Sequence, residues 1–165
     1  MSDLLVGELA AKARHMIELA ADQAIMSSCL RSLCGAVIVA ADGTSVIGAG
    51  YNSPPQDCPI GPVCRKDTLP ADFRSDKTCC LHAEQRAVFD ALAHHADLLV
   101  GSTIYFVRLG DDGEPKPSGE PYCTICSKTT LDVGIATFVL WRPEGFRAYG
   151  TYEYNELSFG YRQTT

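Results

Sequence analysis

The sequence predicts an α/β fold: a three-layer α/β/α domain around a central mixed sheet of about five strands. Three observations carry that prediction. Short β-branched runs alternate with helically periodic segments in the order α-β-β-α-β-α-β-β. Turn-forming Gly, Pro and Asp residues punctuate them, with no internal repeat or low-complexity tract. The 165 residues, 46% hydrophobic and 21% charged, have ordinary globular composition and read as one domain, 1–165.

Residues 3–26 place Leu5, Leu9, Ala13, Met16, Ile17 and Ala20 at helical spacing, which predicts an amphipathic helix covering a sheet. Cys34–Ala40 and Ser45–Tyr51 are β-branched runs either side of the turn signal Ala41-Asp42-Gly43, and read as a hairpin. A long loop follows from Asn52 to about Thr78, with five prolines and with Cys58 and Cys64; loops of that length are usually functional. Leu81–His95 reads as a second helix and Ser102–Leu109 as a central strand. Gly110–Glu120 is a polar excursion, Cys123–Val133 a third helix and Thr137–Arg142 a strand. Pro143-Glu144-Gly145 reads as a tight turn, and Phe146–Thr151 as a last strand.

Fourteen Lys and Arg stand against twenty Asp and Glu, a net charge of −6. That balance argues against nucleic acid as a partner, since phosphate neutralisation needs clustered cations, but permits a small anionic ligand. Asp3, Glu8, Lys12 and Arg14 interrupt the N-terminal apolar pattern, and no apolar run is long enough for a membrane span. The expected setting is the reducing cytoplasm. There, eight cysteines serve metal binding or chemistry more often than disulfides.

Two motifs carry chemistry. His82-Ala83-Glu84 opens the second predicted helix, and Pro121-Tyr122-Cys123-Thr124-Ile125-Cys126 opens the third. One imidazole and two thiolates make a three-ligand zinc set, leaving the fourth tetrahedral position to water, as in catalytic rather than structural zinc sites. A helix N-terminus favours the thiolate form. Glu84 lies within reach of such a water and can carry its proton to a leaving group. Alone, His82 reads as a helix-start histidine, and Cys123 with Cys126 as a redox pair or packed thiols. Together, in this order, they match the H-x-E and C-x-x-C signature of the zinc deaminases.

On those motifs, and on the segments CGAVIVAADG, GAGYNSPP, CLHAEQRAVFDAL and PYCTICSKTTLDVGIATFVLW, the chain resembles the cytidine and deoxycytidylate deaminase superfamily over most of its length. The hairpin, the Tyr51-Asn52 pair and the HAEQ helix are most similar to deoxycytidylate deaminases. The resemblance implies a mixed sheet flanked by helices, with one catalytic zinc held by His82, Cys123 and Cys126, and Glu84 as proton shuttle. It implies hydrolytic deamination of a cytosine nucleotide, dCMP before others, or of a nucleoside or similar small compound; a nucleic-acid cytosine deaminase is the third alternative, which the net charge of −6 disfavours. It also implies a homo-oligomer. Ala83 and Cys123 would present backbone N–H groups to the reacting atoms. Asn52 would hydrogen-bond the sugar or base; its other reading is a plain turn residue.

Some features depart from that pattern. Tyr122 stands between Pro121 and the first zinc cysteine and would put a phenol in the pocket. A tight turn at Pro143-Glu144-Gly145 implies antiparallel strands, as in nucleoside cytidine deaminases and bacterial deaminase toxins; deoxycytidylate deaminases are expected to cross to a parallel strand. Cys58, Cys64, Cys79 and Cys80 are candidates for a second, structural zinc, or else packed or exposed thiols. Cys29 and Cys34 read as core. Arg65, Lys66, Arg74 and Lys77 form a cationic cluster that either neutralises a phosphate or is a solvated loop face. Arg86 reads as a phosphate ligand or an ion-pair partner. The aromatic tail of Tyr149, Tyr152, Tyr154, Phe159 and Tyr161 reads equally as an interface, a pocket cap or core.

Overall fold

A computed structural model describes residues 2–59, 61, 63–70 and 79–161 of the chain. The strands are β1 (Asp3–Leu4), β2 (Cys34–Val39), β3 (Val46–Tyr51), β4 (Thr103–Leu109), β5 (Pro115–Lys116), β6 (Thr137–Arg142) and β7 (Gly145–Gly150). The helices are α1 (Gly7–Ala24), α2 (Ala83–His94), α3 (Thr124–Asp132) and α4 (Thr151–Gly160). One sheet runs β1-β7-β6-β4-β2-β3, with β5 added at the end of β4. The five long strands are those expected. The two additions, β1 and β5, are two-residue edge pieces with no hydrophobic period to betray them.

Alternation along the strands splits the core into two layers. Ala36, Ile38, Ile104, Phe106, Phe138 and Leu140 face α2 and α4. Val37, Val39, Tyr105, Val107, Leu109 and Val139 face α1, which brings Ala13, Met16, Ile17 and Ala20 against them. β2 is buried along its whole length between β3 and β4. Leu9 departs from its expected role: it is exposed, because the buried stripe of α1 begins one turn later.

Helix α2 sits close to the sheet because both surfaces are small. Ala83, Ala87 and Ala91 face Gly48 and Gly50 of β3. A Cβ at Gly50 would lie 2.5 Å from the Ala87 amide nitrogen and 2.6 Å from the Ala83 carbonyl oxygen.

Topology places the helix starts. β3 and β4 are both antiparallel to β2 and so parallel to each other, and α2 crosses between them. β4 and β6 are parallel, with α3 as their crossover. Helices α2 and α3 therefore both start near the carboxyl ends of parallel strands, where α/β sheets bind ligands. β6 and β7 are antiparallel, joined through Pro143-Glu144 with Gly145 at φ +133°. The expected tight turn is present, and the last long strand does not run parallel.

Helix α4 is an element that the sequence did not reveal. Its buried face is Thr151, Tyr154, Asn155 and Ser158, a helical stripe made of polar residues, so hydrophobic periodicity is silent there. Tyr154 stacks on Phe138, ring centroids 3.9 Å apart, and meets Tyr149 edge-on. Tyr149 and Tyr154 are thus core, whereas Tyr152 and Phe159 are exposed.

Candidate active site

His82 occupies the N-cap of α2 and Cys123 the N-cap of α3. Gln85 accepts a hydrogen bond from the His82 amide at 3.1 Å, the return half of a capping box. The sequence reading passed over this role for Gln85, although a Gln three residues into a helix is its ordinary signal. A bridge from the Leu81 amide to the Ser53 carbonyl at 2.9 Å brings the start of α2 alongside Asn52.

The three ligand candidates converge. His82 Nδ1 lies 3.3 Å from Cys123 Sγ and 3.1 Å from Cys126 Sγ, and the two sulfurs are 3.3 Å apart. Metal bonds of about 2.0–2.3 Å give tetrahedral edges of roughly 3.5–3.8 Å, so this triangle accepts zinc by opening a few tenths of an ångström. Among the described residues it is the only group bringing three metal-ligating atoms together. The donors are also preset electrostatically. Hydrogen bonds from Cys126 and His82 pull the Cys123 thiol down to about 4 against the cost of burial. The Cys123 contact lifts His82 to about 9, and the Cys126 thiol is held well above its usual range by Cys123 and by burial.

Glu84, two residues past His82, is buried, with 5% of its surface exposed. Burial is the main cause raising its pKa above the usual carboxylate value; His82 opposes the rise and Cys123 adds to it. Glu84 lines two adjoining cavities of about 340 and 380 Å³, sizes suited to a small ligand. Ala83, Asn52 and Tyr122 line the first; Tyr122 and Cys123 line the second.

A scan against family models matches residues 10–141 to the cytidine and deoxycytidylate deaminase zinc-binding region. The chain belongs to this deaminase family. No curated protein sequence matches it. The cytidine deaminase of Burkholderia pseudomallei has a similar structure (20% identity over 86% of this chain and 94% of that one, TM-score 0.56). So does the dCMP deaminase of cyanophage S-TIM5 in complex with dCMP and dUMP (20% identity over 81% of each chain, TM-score 0.52). At such identities these structures speak for the deaminase fold.

The other candidate residues are placed as follows. The Asn52 amide is occupied by the protein: Oδ1 accepts from the Cys34 amide at 2.8 Å, and Nδ2 donates to the Ser32 carbonyl at 2.8 Å. One N–H of Nδ2 is left for a ligand. Arg86 is an ion-pair partner and loop anchor. It donates to Ser53 Oγ, to the Pro54 carbonyl at 2.7 Å and to Asp57 at 3.4 Å. Lys66 lines both cavities, whereas Arg65 is exposed and lines neither. Arg74 and Lys77 lie outside the described residues.

The loop cysteines form a row rather than a cluster. Cys64 Sγ is 3.6 Å from Cys79 Sγ, which is 3.9 Å from Cys80 Sγ, and Cys58 is exposed. Cys29 is half-buried in the first cavity wall, not in the core; Cys34 is buried as expected. Arg108, which the sequence reading ran through as part of a strand, lines both cavities. Its signal was available: a guanidinium at the end of an apolar central strand costs too much to be incidental.

Among the described residues, no helix is long and apolar enough to cross a membrane.

Proposed function

We propose that the protein catalyses hydrolytic deamination of a cytosine nucleotide, dCMP first, to the uracil product and ammonia. The observation that carries this reading is a buried carboxyl, Glu84, on a cavity wall beside a three-donor zinc set with no fourth protein ligand among the described residues. A closed structural site would need a fourth ligand and no neighbouring carboxylate. Lys66 and Arg108, both facing the cavities, support a substrate with an anionic group.

When bound, zinc supplies the Lewis acidity that makes water a nucleophile at neutral pH. The rest belongs to the chain. Glu84 takes a proton from the attacking water and delivers it to N3 of the ring as the C4–O bond forms. It then takes the proton of the new C4 hydroxyl and passes it to the exocyclic nitrogen; the C4–N bond breaks as the C4 carbonyl forms, and ammonia leaves. The raised affinity of a buried carboxyl for protons suits a group that must hold one between steps. In this reading the Ala83 and Cys123 backbone N–H groups donate to the ring substituent, and the spare Asn52 N–H to the sugar or base; that Ala83, Asn52 and Cys123 line the cavities supports it.

A second reading, an unphosphorylated nucleoside as substrate, is favoured by the antiparallel β6–β7 hairpin, the arrangement expected of nucleoside cytidine deaminases. One experiment separates the two. Zinc-replete protein is incubated with dCMP, CMP, deoxycytidine, cytidine and cytosine and followed by mass spectrometry, with Glu84→Gln as control. A gain of about 1 Da on the nucleotides, reduced by ~10²–10⁴ in the control, is expected. Conversion of nucleosides alone would select the second reading. No conversion of any cytosine compound would overturn the proposal.

A further inference from the structure

Cations are scarce in this chain, yet they gather where the two cavities meet. Arg108, Lys66 and Lys116 line them, and among the described residues none of the three has a carboxylate partner within ion-pair distance. The other charges nearby are spent elsewhere: Arg31 pairs with Asp67 at 3.2 Å, and Glu120 with Arg142. The remaining acid lining them, Glu84, is buried beside the zinc set and makes no ion pair with any of the three cations.

Arg108 is the best built of the three. It is half-buried near the end of β4, and its Nη2 donates to the Tyr122 hydroxyl at 3.3 Å. The Gly110–Glu120 excursion folds back as β5 and pairs Lys116 directly with Arg108 across the ladder. The excursion therefore has a structural purpose: it delivers a second cation next to the first. Tyr122, the residue between Pro121 and the zinc cysteine, is the phenol that holds the guanidinium fork. A half-buried guanidinium with donors to spare and no anion of its own is an oxyanion receptor, and two lysines beside it suit a dianion better than a single carboxylate.

We propose that Arg108, seated by Tyr122 and assisted by Lys116 and Lys66, receives the phosphate group of the substrate and sets selectivity for a nucleotide over a nucleoside. This places the subsite on the β4–β5 ribbon rather than on Arg65 of the long loop. It rests on the deaminase reading, and the test separates the two.

The first arm compares kinetics on dCMP and deoxycytidine for wild type, Arg108→Gln and Lys116→Gln. Lys116 is exposed, so its variant folds irrespective of the first. Arg108→Gln is expected to raise KM for dCMP about 10- to 100-fold while leaving kcat and the deoxycytidine parameters near wild type, the loss of one or two charge-assisted hydrogen bonds. Lys116→Gln is expected to raise KM for dCMP about two- to fivefold, more at low salt. An equal loss on both substrates, or an unchanged ratio of their kcat/KM values, overturns the assignment and leaves Arg108 a strut for Tyr122.

The second arm needs no turnover. Thermal unfolding is followed with inorganic phosphate against chloride at matched ionic strength. Wild type is expected to gain stability with phosphate, and Arg108→Gln to lose most of that gain. If wild type deaminates nothing, this arm decides alone: a phosphate response that depends on Arg108 sustains the subsite while the reaction falls, and a response absent from wild type or unchanged in the variant overturns the subsite.

Discussion

Replacing Asn52 by Ala separates a residue that binds substrate from one that builds the pocket. The side chain makes two hydrogen bonds that nothing else can take over: from the buried Cys34 amide and to the Ser32 carbonyl, both at 2.8 Å. A third contact, from Ser27 Oγ at 2.8 Å, is replaceable, because that hydroxyl also lies 2.5 Å from the Asn52 carbonyl oxygen. Each lost bond is worth about 1 kcal/mol net, and a buried amide left without an acceptor costs about 1–3 kcal/mol. The expected destabilisation is therefore roughly 2–4 kcal/mol, a large share of the ~5–15 kcal/mol that holds an ordinary domain together. For a domain of this size that lowers the melting temperature by about 4–16 °C. Thermal unfolding at a fixed excess of zinc measures it. Asn52→Asp keeps the acceptor for Cys34 and loses only the donor to Ser32, so it is expected to fall between Ala and wild type. An Asn52→Ala protein that melts within about 2 °C of wild type while its KM rises would refute the structural role and make Asn52 chiefly a ligand group.

Two further outcomes follow from the same geometry. Gly50→Ala places a methyl carbon 2.5 Å from the Ala87 backbone nitrogen, and a backbone neighbour cannot rotate away. A loss above about 1–3 kcal/mol is expected, with activity falling as well, because α2 carries His82 and Glu84; chemical denaturation read beside turnover checks both. Zinc uptake by metal-free protein at pH 7 is expected to release about two protons, one from His82 and one from Cys126, with none from Cys123, which is already a thiolate. Affinity therefore rises with pH through about 9, where His82 gives up its proton, and continues to rise above that while Cys126 still holds one; calorimetry in buffers of different ionisation enthalpy counts the protons.

The parts legible in the sequence are those where one residue's chemistry or one period is sufficient. β6 is Thr137–Arg142 in both readings, because its apolar run is bounded on both sides. The metal set was legible because His82, Cys123 and Cys126 each sit at a helix start, a local signal. What stayed hidden depends on long-range placement. Helix α4 buries Thr, Tyr, Asn and Ser, so no hydrophobic stripe announces it. Asn52 could be assigned to the pocket, but its partners Ser32 and Cys34 lie across a strand pairing that no local pattern specifies. Arg108 is meaningful only once β5 has folded back beside it.

In the proposed reaction Glu84 ties stability to function. Its folded-state pKa stands above the ordinary value of 4.5 because burial disfavours the carboxylate. In the interval between its unfolded and folded pKa values the native state binds more protons than the unfolded state. Stability therefore falls as pH rises through that interval, and the penalty is complete once pH has passed the folded-state pKa. Glu84→Gln removes the charge and keeps the shape, so it is expected to raise the melting temperature at pH 7 while abolishing most turnover, the trade expected of a group held in an unfavourable environment for use. The melting comparison is made on metal-free protein, where no bound divalent cation changes the surroundings of the carboxyl. The acid limb of kcat/KM in the wild-type protein should then lie above the usual carboxylate range, because Glu84 must lose its proton before it can accept one from water. An acid limb below pH 4, or a Glu84→Gln protein less stable than wild type at pH 7, would show that the carboxylate is solvated or ion-paired in the working enzyme and that its burial is not what sets its chemistry.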